Sequence, residues 1–210
     1  MTRATPNDRA SSASLTVGLA AEPTGAELDA LHTRLVREAD DAGLLEVAYR
    51  VLDSPIGALL VAVTDRGLVR VAFELEDHDA VLADLAGSVG PRILRAIRRT
   101  DDVARQLDEY FAGRRRSFDL AVDLRLVRGF RRAVVEHLRR IGYGRTETYA
   151  EVARAVGNAR AVRAAGSACA HNPVPIVVPC HRVVRSDGSI GRYLGGTEAK
   201  AALLALEAAA

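Results

Sequence analysis

The alternation of apolar and polar residues predicts one helix and then three strands in the first part of the chain. Thr24 and Glu27 match a capping box, and apolar residues then recur at helical spacing until Gly43. Strand-like apolar runs separated by turn residues follow, over residues 47–52, 58–64 and 68–73. The pattern predicts an amphipathic helix and a small antiparallel three-stranded sheet.

Helical spacing returns after the third strand. It predicts helices over residues 78–87 and 91–112, the second with apolar residues facing inward, namely Ile93, Ile97, Val103, Leu107 and Phe111. Without periodicity and rich in Ser, Thr, Ala and Pro, residues 1–23 are interpreted as a disordered tail. We therefore divide this part into the tail, an extra N-terminal helix over 24–45 and an α+β domain over 46–121.

The remaining residues, 122–210, are predicted to be mostly helical. A first helix covers 129–141, and Thr148 and Glu151 form a second capping box, which opens a helix through Val156. After Gly157 and Asn158 another helix runs to about Ala170. Two short helices joined by a glycine-containing turn are typical of a helix-turn-helix, although two packed core helices give the same pattern.

Composition indicates an ordinary globular chain, with 49% hydrophobic and 27% charged residues among 210. No apolar stretch approaches the roughly 18 to 20 residues that span a bilayer, and the N-terminus lacks the pattern of a signal peptide, so a cytoplasmic protein is expected. Only Cys169 and Cys180 are cysteines, which excludes a disulfide framework or a four-cysteine zinc site. No metal or other cofactor is expected.

Charge is distributed unevenly although the formal net charge is only +2. Residues 1–121 hold 15 Arg against 20 Asp and Glu, a net charge of −5. Residues 122–210 hold 13 Arg and one Lys against 7 Asp and Glu, a net charge of +7. This asymmetry suggests an anionic partner for the C-terminal part, but a solvated basic surface explains it equally well.

Candidate chemistry is concentrated in residues 172–184, where a proline-bounded apolar run leads to Cys180 and His181. A free thiol titrates near pH 8.5, so a cysteine nucleophile at neutral pH needs a base or a positive charge beside it. His181 and Arg182 are the adjacent candidates. Neighbouring side chains in extended backbone point to opposite sides, however, so the pair needs a water or a bent backbone to interact.

A longer string of residues resembles the active-site signature of the O6-alkylguanine-DNA alkyltransferase family. The string is Pro179-Cys180-His181-Arg182-Val183, preceded by Asn172-Pro173-Val174-Pro175. Further matches lie upstream and downstream, at Ser54–Gly57, Tyr110–Gly113, Tyr143-Gly144, Thr148-Tyr149, Arg163, Gly188, Gly191, Tyr193, Gly195-Gly196, Lys200 and Glu207. The resemblance covers about residues 46–208.

The resemblance implies a fold and a chemistry. The fold is α+β, with a ribonuclease H-like N-terminal domain and a winged-helix-like C-terminal domain that carries the helix-turn-helix. The activity is repair of O6-alkylguanine in DNA by irreversible, stoichiometric transfer of the alkyl group to Cys180. His181 would act as base through a water, Glu207 would orient His181, Tyr149 would donate to guanine N3, and Asn172 would support the active site.

The resemblance also implies a binding surface for double-stranded DNA. Arg163 would be the finger that replaces the flipped base, and the other DNA contacts would come from Arg131, Asn158, Arg160, Ala161 and Ser186. The alkylguanine pocket would be lined by Val183, Tyr193 and Leu194. Leu194 departs from the small residue common at this position, and either narrows the pocket or faces solvent. A monomer is expected in the absence of DNA.

Two other functions remain compatible with the residues. Cys180, His181 and Glu207 also suit a cysteine hydrolase, which would turn over instead of reacting once. Alkyltransferase-like proteins that bind lesions without repair are the second alternative, but these typically lack the cysteine.

Overall fold

The computed structural model describes residues 23–209, which form two compact units over 23–35 and 36–209. The predicted disordered tail, apart from Pro23, lies outside the described residues. Helix α1, Gly25–Asp41, starts at the predicted capping box: Thr24 N donates to Glu27 Oε2 over 2.7 Å, and Glu27 N donates to Thr24 Oγ1 over 3.3 Å. The predicted apolar side chains of its first half, Leu28, Leu31 and Leu35, are exposed.

A four-stranded mixed sheet forms the first half of the larger unit. Its strands are β1 (Val47–Leu52), β2 (Leu59–Thr64), β3 (Gly67–Phe73) and β4 (Ile93–Arg95), in the order β3-β2-β1-β4. The three predicted strands pair antiparallel, as expected. The fourth strand runs parallel to β1, with Val47 opposite Ile93.

Strand β4 corrects the predicted helix over residues 91–112. Helix α3 spans Ile97–Phe111 only, and Ile97 is about half exposed, so it does not face inward as predicted. Ile93 and Ile97 are four residues apart, which imitates a helical period. The free edge of β1 offers backbone hydrogen bonds to Ile93–Arg95, and such long-range pairing outweighs the local pattern.

The sheet has a core on each face. Helix α2, His78–Ser88, covers one face and buries Val81 and Leu85 against Leu60 and Ala62. Helix α3 covers the other face, where the apolar cluster continues without a break into the C-terminal helices. The N-terminal sheet and the C-terminal part therefore share one core.

The C-terminal part consists of short helices and a two-stranded parallel ribbon. The helices are α4 (Gly129–Leu138), α5 (Tyr149–Ala155), α6 (Val162–Ala170) and α7 (Gly196–Ala208), and the ribbon pairs β5 (Glu147–Thr148) with β6 (Val183–Val184). Helix α4 ends three residues earlier than predicted. The predicted capping box opens α5, since Thr148 N donates to Glu151 Oε2 over 2.6 Å and Glu151 N donates to Thr148 Oγ1 over 3.2 Å.

Helices α5 and α6 pack against each other and are joined by a turn in which Gly157 has a φ of +82°. Helix α6 buries Ala165, Ala168 and Cys169 and leaves Arg163 and Ala164 exposed. One side of α6 is thus core while the other is accessible to a partner. Among residues 23–209 no helix is long and apolar enough to cross a membrane.

Candidate active site

The loop before Cys180 is held from inside by Asn172, whose side chain is fully buried. Its Nδ2 donates to the Val178 carbonyl over 2.8 Å, and its Oδ1 accepts from Val174 N over 3.1 Å. Between these anchors Ile176 adopts a φ of +72°, a conformation that is rare for a β-branched residue. The amide of Asn172 therefore fixes the path of the loop that ends at the cysteine.

Cys180, His181 and Arg182 form a single 3-10 turn rather than extended backbone. All three side chains are buried, Cys180 to 2% exposure and His181 completely. The two side chains therefore do not point to opposite sides as they would in a strand, and a water between Cys180 Sγ and His181 remains the route by which they would interact. The position of the turn is fixed by Cys180 N, which donates to Val178 O over 2.8 Å.

His181 binds Glu207 through one ring nitrogen and leaves the other available. Nε2 lies 2.9 Å from Glu207 Oε1, whereas Nδ1 is buried without a hydrogen-bond partner among the described residues. A proton on Nε2 leaves the lone pair on Nδ1, so the carboxylate selects the tautomer in which Nδ1 can accept a proton.

Glu207 is the most heavily bonded side chain of the site. Besides His181, its two oxygens accept from Tyr110 Oη at 2.7 Å, from Arg182 Nε and Nη2 at 2.8 Å each, and from Gly144 N at 3.1 Å. Arg182 also donates to the Ile141 carbonyl and lies over the Tyr143 ring at 5.7 Å. The carboxylate is thus an anchor that joins α3, the loop after α4 and the active-site turn.

Two of these donors were missed as site residues by the sequence analysis. Arg182 was considered only as a positive neighbour of the thiol, but its guanidinium binds Glu207 instead. Tyr110 appeared only as a landmark of the N-terminal domain. The available signal was its membership of the Tyr110–Gly113 match to the family. The residues around Tyr110 in the sequence do not show that its hydroxyl reaches Glu207 on the C-terminal helix.

Burial and hydrogen bonds set the pKa values of the candidate reacting groups. Burial raises the pKa of the Cys180 thiol to about 11, although the Asn172 amide and the positive charge of Lys200 oppose this. Burial also lowers the pKa of His181, which outweighs the opposing pull of Glu207. Burial would raise the pKa of Glu207, but hydrogen bonds from His181 and Arg182 dominate and hold it below the ordinary value. At neutral pH the site therefore holds a thiol, a neutral imidazole and a carboxylate.

These shifts predict a loss of stability in acid. Because the folded pKa of His181 lies below 6.5, the unfolded chain binds a proton that the folded protein resists as pH falls below that value. The free energy of unfolding, measured by urea titration, is expected to fall with pH from that point. His181→Asn, which keeps a polar side chain but has no titrating ring, should flatten the slope. A slope in His181→Asn equal to that of the wild type would contradict a lowered pKa of His181 in the folded protein.

Tyr149 stands at the start of α5 in a space bounded by glycines. A Cβ on Gly191 would lie 2.6 Å from Tyr149 Oη, and one on Gly166 would lie 3.8 Å from its ring. Lys200 Nζ lies 6.0 Å from the centre of the same ring and donates to the Val183 carbonyl. Gly191 and Gly166 thus leave room for the phenol where a side chain would displace it.

Tyr193 and Leu194, the other predicted pocket residues, are half-buried beside the active-site turn. The Tyr193 ring makes edge contacts with Phe73 at 5.4 Å and with His181 at 6.3 Å between ring centres. Leu194 packs against the common core, so it does not simply face solvent. Phe73, at the end of β3, also fills the space beside Gly195, where a Cβ would lie 2.6 Å from its ring.

The predicted DNA contacts lie on exposed surface. Arg131 is on α4, Asn158 and Arg160 are in the α5–α6 turn, Arg163 is in the first turn of α6, and Ser186 follows β6; Ala161, at the start of α6, is half-buried. Within residues 23–209, none of these arginines has a carboxylate partner, whereas the neighbouring Arg132 pairs with Glu136 at 2.8 Å. Their charge is available to an anionic partner.

Comparison with known proteins gives consistent matches over the larger unit. Residues 47–124 match the family model of the 6-O-methylguanine DNA methyltransferase ribonuclease-like domain, and residues 129–209 match that of the DNA binding domain of the same family. The methylated-DNA–protein-cysteine methyltransferase of Mycolicibacterium paratuberculosis is 39% identical, covering 77% of this chain and 92% of that protein. The corresponding protein of Methanosarcina barkeri is 37% identical, covering 76% of this chain and 96% of that protein.

Solved structures agree. The O6-methylguanine methyltransferase of Mycobacterium tuberculosis superposes with a TM-score of 0.67 at 35% identity, covering 78% of this chain and 93% of that one. A structure of the OGT protein of that organism in complex with DNA gives a TM-score of 0.65 at 35% identity, covering 77% and 93%.

Proposed function

The chain belongs to the 6-O-methylguanine DNA methyltransferase family, and on that premise we propose that it repairs O6-alkylguanine in duplex DNA through Cys180. It is a DNA repair protein that transfers an alkyl group to one of its own cysteines, and the cysteine hydrolase alternative is not favoured. The observation that carries the assignment of Cys180 is its place in the 3-10 turn with the His181–Glu207 pair.

The reaction is a single displacement. Cys180 Sγ forms a bond to the alkyl carbon while the bond from that carbon to guanine O6 breaks. The thiol proton passes through a bridging water to His181 Nδ1, and Glu207 holds the imidazole and stabilises its charged form. The high pKa of the thiol supports this order, since a thiol that is neutral at rest needs a base as it attacks. The thioether has no evident route of reversal, so each molecule reacts once.

The leaving guanine requires neutralisation of its developing negative charge. Tyr149 donates its phenolic proton toward N3, and burial, which raises the pKa of Tyr149, keeps it protonated until then. The backbone N–H of Leu194 reaches O6, while the carbonyls of Cys180 and Val183 accept the exocyclic amine. Lys200 supports this arrangement, because Lys200 Nζ donates to the Val183 carbonyl and fixes its position. The second lone pair of that carbonyl oxygen stays available for the guanine amine.

Access to the alkyl carbon requires the nucleotide to leave the base stack, at a cost of about a few kcal/mol that is smaller for a badly paired base. Helix α6 supports this step, since exposed Arg163 and small Ala161 and Ala164 allow close approach to a groove. Arg163 occupies the vacated place, and Arg131, Asn158, Arg160 and Ser186 contact phosphates. Binding is then salt-sensitive and largely independent of sequence.

The test of this function is intact mass spectrometry after mixing the protein with a duplex that contains O6-methylguanine. One methyl group per protein molecule is expected, with no further product once every molecule is modified. Excess duplex that is repaired by catalytic turnover, or a protein that stays unmodified, would contradict the proposal.

Arg163→Ala is expected to slow repair of the duplex by at least about tenfold, because no side chain then fills the place of the flipped base. A tenfold slower rate corresponds to an activation free energy that is higher by roughly 1.4 kcal/mol. Reaction with free O6-benzylguanine, which needs no flipping, should stay near the wild-type rate. Arg132→Ala removes the same charge from an arginine that pairs with Glu136, and should leave both rates unchanged. Equal losses of Arg163→Ala on both substrates would exclude the finger role.

The same proposal includes a monomeric state before DNA is bound, action in the cytoplasm, and domains over 46–121 and 122–210. Analytical ultracentrifugation of the free protein checks the first of these. A stable dimer without DNA would refute it.

A further inference from the structure

Tyr110 lies in the last turn of α3, in the N-terminal half of the chain, and none of its side chain is exposed. Its ring packs against those of Phe111, Phe118 and Tyr143, with ring centres 5.5, 5.3 and 6.2 Å away. Its hydroxyl donates to Glu207 Oε1 over 2.7 Å. Tyr110 is thus a rigid group that reaches from the α3 side of the sheet to the carboxylate of the active site.

The hydroxyl binds the same oxygen that receives His181. Oε1 of Glu207 accepts from Tyr110 Oη and Arg182 Nη2 as well as from His181 Nε2, while Oε2 accepts from Arg182 Nε and Gly144 N. The position of Oε1 decides where the imidazole ring sits and hence where Nδ1 points. A donor fixed to α3 therefore controls the orientation of the base indirectly.

Packing alone does not account for the hydroxyl. Two of the aromatic neighbours of Tyr110 are phenylalanines, and a phenylalanine at 110 would preserve the same ring contacts. A buried hydroxyl is costly unless it is hydrogen-bonded, and its one partner among the described residues is the Glu207 carboxylate. The hydroxyl thus contributes to the site itself.

We propose that Tyr110 is a positioning residue for alkyl transfer, which holds the Glu207 carboxylate so that His181 keeps Nδ1 directed at Cys180. The inference rests on the proposed roles of His181 and Glu207 and extends the reactive machinery into the N-terminal domain. The charged groups that face His181 are Glu207, Arg182 and Lys200, on the C-terminal side, so Tyr110 acts on the imidazole through the carboxylate.

Tyr110→Phe in the full chain tests the proposal, with free O6-benzylguanine as substrate so that DNA binding does not enter. The single-turnover rate is expected to fall about tenfold, as for the loss of one hydrogen bond to a charged group. The Tyr110 hydrogen bond lowers the pKa of Glu207, so its removal makes the carboxylate a stronger acceptor and raises the pKa of His181. The acid limb of the rate profile should therefore move to higher pH.

Tyr143→Phe is the matched control, since it removes a hydroxyl of the same aromatic cluster that donates to the Leu206 carbonyl at 3.3 Å. It should change neither the rate nor the acid limb. In a His181→Ala background Tyr110→Phe should have no further effect on rate, because a positioning residue needs its base. The double variant also separates a positioning role from a general loss of packing, because a packing defect would slow the reaction further even without His181.

The outcomes distinguish this inference from the proposed function. Suppose that His181→Ala is slow but Tyr110→Phe reacts at the wild-type rate, or that its acid limb is not shifted. Either result overturns the inference about Tyr110 and leaves the proposed function standing. A tenfold loss that persists in the His181→Ala background also overturns it. A His181→Ala variant that reacts at the wild-type rate would overturn the proton relay, and the role of Tyr110 with it.

Discussion

Cys180→Ala is expected to abolish alkyl uptake from an O6-methylguanine duplex, whereas Cys169→Ala should be modified as fully as the wild type. The chain has only these two cysteines, and both are buried. Cys169 lies in the last turn of α6, and burial, together with the nearby Cys180, raises its pKa. Only Cys180 adjoins a histidine whose free ring nitrogen can accept the thiol proton.

Intact mass and peptide mapping measure this result directly. Both substitutions remove one buried thiol, so Cys169→Ala controls for the effect of a lost sulfur on packing. Binding of the duplex by Cys180→Ala should persist, because none of the proposed DNA contacts is changed. A methyl group found on Cys169, or on Cys180→Ala, would mean that the acceptor has been misassigned.

His181→Ala is expected to slow alkyl transfer by about 100-fold or more, the contribution typical of a positioned general base. Glu207→Ala should slow transfer comparably, since the imidazole loses both its orientation and the stabilisation of its charged form. Affinity for the duplex should change little in either variant, because both side chains are buried away from the exposed arginines. Single-turnover kinetics and fluorescence anisotropy measure the two quantities separately.

Glu207→Ala should also lose stability, by about 3 to 5 kcal/mol in urea titration, because it leaves the buried Arg182 without its carboxylate. Glu198→Ala, which removes an exposed carboxylate from the first turn of the same helix, is the matched control and should leave rate and stability near the wild-type values. The relay would be refuted by folded His181→Ala and Glu207→Ala proteins that react at the normal rate.

Features that depend on neighbouring residues were predictable from the sequence. Both capping boxes, at Thr24 and Thr148, were predicted because their partners lie three residues away. The missing strand β4 shows the limit of such reasoning, since its partner β1 is more than 40 residues earlier and its isoleucines imitate a helical period. The three-stranded sheet was thus correct locally but incomplete.

The active site shows the same division between local and distant information. The motif around Cys180 and the resemblance that it carries predicted Cys180 as nucleophile together with His181 and Glu207, and the structure joins the last two by a hydrogen bond. The sequence did not reveal that Cys180 and His181 lie in one 3-10 turn, nor that Tyr110, 97 residues before Glu207, binds the carboxylate that holds His181. Such contacts depend on how the two halves pack, which residue spacing does not encode.

The burial of Cys180 has a consequence for the life of the protein before it meets damaged DNA. Oxidants such as peroxide react with exposed thiolates, and a buried neutral thiol presents neither the charge nor the access that they require. In the proposed reaction each molecule reacts once, so any unintended reaction at the acceptor atom would inactivate the protein. If Cys180 is the acceptor, as proposed, the burial that makes it depend on His181 also protects it from oxidants until the protein binds a lesion.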